Sequence, residues 1–168
     1  FAARDSSILS PVNQQASTSG ITYIKLYFHA YHAVFEGQDV GVDIQRCRDM
    51  RDLLNDQFDG TGFQFFFNEC EFEIINDNYR AVVADFVEIQ DAVFCNRQHD
   101  DGIDIHVRPD LEESNAAAAE SIGGGELVLG GYLFLEEGTP RSLDGDLAHE
   151  MGHCLGLFHT HQGTCPTD

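Results

Sequence analysis

The residues with the most chemical potential sit close together late in the chain. They are His149, Glu150, His153 and His159, in the string HEMGHCLGLFH. On a helix turning about 100° per residue, His149 and His153 stand about 40° apart on one face. Leu143, Leu147, Met151, Cys154, Leu155 and Phe158 fall on the opposite side, so the imidazoles face a cleft while the apolar stripe faces a core. Two histidines at i, i+4 match the span of one zinc ion, and Glu150 can reach a metal-bound water without being a ligand. If the helix continued, His159 would sit about 80° round from His149 and two turns on, out of reach of the same ion. Gly156 tolerates φ > 0, which lets the chain leave the helix sharply and return His159 as a third ligand. Three imidazoles plus water leave an open position, the catalytic arrangement of zinc.

Other polar residues carry weaker signals. His29 and His32 are three apart on a strand-like segment, hence on opposite faces, and read as surface or partly packed. His161 reads as solvated. Cys154 lies about 140° from His149 and reads as a small core residue with a free thiol. Gly123 to Gly125 has no Lys-Ser/Thr after it and reads as a tight turn. Asp100, Asp101 and Asp104 could hold Ca2+, although a solvated charge run is the commoner outcome for such a group.

The elements that must position these residues follow from periodicity. Ile21 to Phe35 alternates, with Ile24, Leu26, Phe28, Ala30 and Val34 on one face and Tyr23, Lys25, Tyr27 and His29 on the other. Val40 to Phe58 changes to a helical stripe of Ile44, Cys47, Leu54 and Phe58, stopped by Asp59 to Gly62. Phe63 to Ile75 reads as a strand with Phe66, Cys70, Phe72 and Ile74 inward and Glu69, Glu71 and Glu73 in water. Cys47 and Cys70 accordingly read as core residues. Tyr79 to Val93 fits a helix stripe but is rich in β-branched residues. Gly102 to Val107 is a short strand. Ala116 to Ala119 is helical by propensity alone. Glu126 to Leu135 is strand-like with a break at Gly130–Gly131, and Leu143 to Phe158 is the last helix. Phe1 to Gly20 reads as an extended segment, leaving one α+β domain over 21–168. Interleaved strands and helices imply a sheet with helices packed on it.

Composition narrows the function classes. The 168 residues carry 9 basic and 29 acidic side chains, a formal charge of −20, which repels phosphate and argues against nucleic-acid binding. No apolar run is long enough for a membrane-spanning helix. Lys25 is the sole lysine, and an acidic, lysine-poor surface fits a secreted or extracellular setting. The chain opens on Phe1 rather than Met, so a processed product is expected. Five dispersed cysteines with no C-x-x-C pair give neither a thiolate zinc site nor a redox motif.

The string HEMGHCLGLFHTHQGTC, His149 to Cys165, resembles the metzincin metalloproteases, in particular the pappalysin-type branch with its ulilysin-like and cytophagalysin-like members. The likeness covers roughly Ile21 to Cys165. It implies a zincin-like upper subdomain: a twisted, mostly parallel sheet of about five strands with an antiparallel edge strand, packed on two main helices that include the zinc helix. It places Ile103 to Val107 third in the sheet, Ala116 to Ile122 at the edge above the cleft, and Glu126 to Leu129 in the last strand. That layout overrides the helical propensity of the alanines.

The resemblance implies a zinc-dependent endopeptidase. Zn2+ would be held by His149, His153 and His159, with Glu150 as general base on a zinc-bound water. A protein or peptide substrate would lie along the edge strand near Ala118 and Glu120. The family's methionine turn has no counterpart here, since the chain contains only Met50 and Met151. The lower subdomain is largely missing after the zinc motif, and the expected partner is a C-terminal half of the same protein, to which Cys165 would be disulfide-bonded. Two other readings remain open: an inactive zinc-bound module that binds peptides or partners, and a zinc hydrolase acting on a non-peptide amide.

Overall fold

The structure is a computed structural model; the residues it describes are 20–35, 37–77, 79, 99–108, 117–119, 123–129 and 143–159. Several sequence expectations lie outside them: the extended 1–19 segment, most of the Tyr79 to Val93 stripe, Glu120, the Gly130–Gly131 break, His161 and Cys165.

Strand β1 (Thr22–Phe35) is the hub of the fold. It pairs antiparallel with β2 (Gln38–Val40), and parallel with β3 (Phe63–Phe66), β4 (Phe72–Asn76) and β5 (Ile103–Val107). Strand β5 pairs parallel with β7 (Glu126–Leu129), which pairs antiparallel with β6 (Ala117–Ala119). The described sheet is thus mostly parallel, with β6 at one end of the order β2-β1-β5-β7-β6. The three alanines form a strand, as the resemblance implied and against their helical propensity. Main-chain pairing with β7 decides their conformation, and an isolated preference of a few tenths of a kcal/mol per residue is too small to resist it.

Helix α1 (Ile44–Gln57) starts at Asp43, whose side chain accepts the Arg46 N–H at 2.9 Å. It buries Cys47, Met50 and Leu54. Asn55 fixes α1 to β3: its side chain accepts the Phe65 N–H at 2.8 Å and donates to the Phe65 carbonyl at 3.0 Å. Helix α2 (Leu143–Cys154) packs on α1, β6 and β7. The core lies between these helices and one face of the sheet, where Leu26, Phe28, Ile105, Leu127, Leu147 and Met151 are fully enclosed. Among the described residues no helix is long and apolar enough to cross a membrane.

Four expectations need correction. Phe63 to Ile75 is two strands separated by a 3-10 turn at Glu69–Glu71. Phe65 and Phe67 are buried while Phe66 is exposed, Cys70 in the turn is exposed, and beyond it Ile75 is buried and Ile74 exposed while Phe72 packs against the core. Cys70 is therefore not a core residue. Val34 is also exposed, because it lies in the β1–β2 hairpin while its neighbour Ala33 is buried. The last helix ends at Cys154, which leaves Phe158 outside it and exposed, not on its apolar stripe.

Candidate metal centre

Helix α2 presents its two faces as the periodicity requires. Leu147, Met151 and Cys154 are buried, whereas His149 is exposed. At its end the N–H of Gly156 bonds the His153 carbonyl at 2.9 Å and the N–H of Leu157 bonds the Gly152 carbonyl at 2.9 Å. This is a Schellman closure, with Gly156 in the left-handed region at φ +90°. The chain turns back over the helix, and His159 comes to face the two helical histidines.

The result is a triangle of nitrogens. His149 Nε2 lies 2.8 Å from His159 Nε2 and 3.1 Å from His153 Nε2, and His153 Nε2 lies 3.0 Å from His159 Nε2. Ligands 2.0–2.1 Å from a tetrahedral zinc stand about 3.3 Å apart, so the triangle is within a few tenths of an ångström of that required. The tautomer of His153 agrees. Its Nδ1 is 2.7 Å from the Leu157 carbonyl, which can only accept, so Nδ1 carries the proton and the Nε2 lone pair points into the triangle. The three residues form one potential metal-binding group. Glu150 follows His149 on α2 and is partly buried.

The turn before β7 braces this end of the helix: Gly123, at φ +75°, donates its N–H to the His153 carbonyl at 2.8 Å. This tight turn matches the sequence expectation. Ala118 lies in β6, opposite Val128 of β7. Glu120, the other expected substrate contact, lies outside the described residues.

The aspartates that could have held Ca2+, and that read more commonly as a solvated run, do not come together. Asp100 and Asp101 are exposed, and Asp101 accepts the Tyr27 hydroxyl at 2.6 Å. Asp104 is fully buried on the sheet, against His29 and His99. His29 is itself buried, contrary to the expectation of a surface or partly packed residue. Strand alternation could have located these groups. With Ile103, Ile105 and Val107 turned to the core, Asp104, His106 and Arg108 share the other face of β5, and all three are buried.

No family model matches the chain, and no curated protein matches it closely enough to count as a relative.

Proposed function

We propose that this chain carries the zinc-binding part of a metzincin-type endopeptidase, with His149, His153 and His159 as ligands. The observation that carries the reading is the convergence of three Nε2 atoms within 3.1 Å, delivered by an i, i+4 pair and a glycine turn. A zinc ion bound there would supply Lewis-acid polarisation of a scissile carbonyl and activation of a water. Glu150, next to the first ligand, takes the proton of the attacking water and hands it to the leaving amine. The Leu157 carbonyl holds His153 in the ligating tautomer. Strand β6, at the end of the described sheet order and packed against α2, offers backbone pairing to an extended peptide. That favours a protein or peptide substrate over a small amide. The net charge of −20 and the single lysine support an extracellular setting.

The test is Glu150→Gln, with zinc content and cleavage of an unstructured protein measured together. Zinc should stay at the wild-type level while the rate falls by about a hundredfold or more, the usual scale for a general base. Zinc bound by a wild-type protein that cleaves nothing would leave the chain a binding module and overturn the enzymatic reading.

A further inference from the structure

We propose that His29, His99 and Asp104 form a second, structural transition-metal site of the zinc class, on the sheet face turned away from α2. Their ligand-capable atoms all lie within 4.8 Å of one another. Asp104 Oδ1 is 2.7 Å from His29 Nε2 and 2.6 Å from His99 Nδ1, so both rings aim a nitrogen at the same oxygen. The other carboxylate oxygen accepts the His99 backbone N–H at 2.8 Å, which fixes the orientation of the group. Two imidazole nitrogens and one carboxylate oxygen are donors suited to zinc, and too few in oxygen to suit calcium.

Charge and surroundings support a cation here. Asp104 is wholly enclosed, and among the described residues its partners are His29 and His99, with no lysine or arginine. A buried carboxylate needs a compensating positive charge. Two candidates remain, a protonated imidazole or a metal ion. A metal would take His29 through Nε2, which faces Asp104, while its Nδ1 lies 3.4 Å from the Glu73 carboxylate. A carboxylate behind the second ring nitrogen is the arrangement that orients metal-bound histidines. Tyr27 stacks on the His99 ring with centroids 3.6 Å apart, and the His29 and His106 rings stack at 4.8 Å. The half-exposed His99 leaves an approach path for the ion.

Such an ion would pin the 99–102 loop to β1. The loop already lies unusually close: a Cβ on Gly102 would come within 2.6 Å of the Lys25 carbonyl and 2.9 Å of the Tyr27 ring. A metal bridging His29 of β1, Asp104 of β5 and His99 of the loop would hold that approach together.

The site goes beyond the proposed zinc helix, and stoichiometry separates the two. Metal-free full chain is titrated with Zn2+ against a chromophoric chelator, alongside His149→Ala/His153→Ala and His99→Ala variants checked by circular dichroism. Two equivalents are expected for the wild type. The double variant should keep one, and Zn2+ should raise its Tm. The His99→Ala chain should also keep one, at the other site. Failure of the zinc-helix reading alone would instead leave one equivalent that survives the double substitution. A double variant that binds no Zn2+ and shows no change in Tm would overturn the second site and leave an imidazolium as the partner of Asp104. Tight binding of Ca2+ in place of Zn2+ would also overturn it.

Discussion

His153 donates its Nδ1–H to the carbonyl of Leu157 across 2.7 Å, and this bond ties a ligand-capable ring to the turn that follows the helix. The donor ring belongs to the last turn of α2, and the acceptor belongs to the first residue past Gly156. The exit of the helix and the protonation state of a ligand are therefore set together. A ring without that acceptor could carry its proton on either nitrogen, and only one tautomer leaves Nε2 able to bind a metal.

Gly156→Ala tests how strongly the ligand triangle depends on this turn. The glycine has φ +90°, and an added Cβ would meet nothing within 4 Å. The cost is therefore backbone strain alone, about 1–2 kcal/mol for a residue with a side chain in the left-handed region. If the turn relaxes to escape that strain, His159 moves and zinc affinity drops by about 5- to 30-fold, the same energy expressed as a binding ratio. Competition with a chelator measures it. Unchanged affinity together with an unchanged Tm would show that the turn does not hold the third ligand.

The helix that carries His149 and His153 was legible because its signal is local. The i, i+4 pair, the buried Leu147 and Met151 opposite it and the glycine exit all lie within a dozen residues, where helical period alone decides orientation. The edge strand was not legible in this way, since Ala117 to Ala119 have no alternation to read and become a strand only by pairing with β7. Phe63 to Ile75 misled for a related reason. Asn68 and Glu71 close a 3-10 turn that breaks the segment in two, so no single alternation runs through it: Phe66 and Ile74 are exposed and so is Cys70 in the turn, while Phe72 packs against the core as read. The His29–Asp104 pair joins residues 75 apart in sequence through the parallel pairing of β1 and β5, and no short-range pattern registers that.

The 3-10 turn has a chemical consequence for the cysteines, because Cys70 lies in it. Cys47 is fully buried, and burial, with Asp43 nearby adding to it, pushes its thiol up to about 12. Cys154 is buried as well, whereas Cys70 is exposed, and no disulfide joins these three. Only a thiolate is alkylated at an appreciable rate. Iodoacetamide at pH 8 should therefore modify Cys70 within minutes and leave Cys47 and Cys154 untouched until denaturant is added. Peptide mapping by mass spectrometry reads each site separately. Alkylation of Cys47 in the folded chain as fast as Cys70 would contradict the placement of α1 against the sheet.

Lys25 and Glu71 should make stability depend on pH at both ends of the range. Lys25 Nζ lies 2.8 Å from the Glu71 carboxylate and 2.6 Å from the Tyr27 hydroxyl, and the Glu71 hydrogen bond is the main reason its pKa is raised. Burial alone would push Glu71 up, but hydrogen bonds from Lys25 and Asn68 outweigh it and bring its pKa down. Asp101 is lowered chiefly by the Tyr27 hydroxyl. A raised lysine stabilises the fold fully below its unfolded pKa, and that contribution fades as pH climbs beyond about 10.4. A lowered carboxylate contributes above its unfolded pKa, near 4, and the contribution fades as pH falls below it. The stabilisation from this group is thus present between roughly pH 5 and 10 and is lost on either side. Lys25→Met should lower stability inside that window, because Glu71 is left half-buried without its partner. The gap from wild type should close in strong acid, where Glu71 is protonated in both chains. It should also narrow in added salt, since Lys25 and Asp101 share the contact with water. Urea unfolding at pH 3, 7 and 11 measures the effect, and a difference between the two chains that stays constant across all three would show that the pairing is not what stabilises this edge of the sheet.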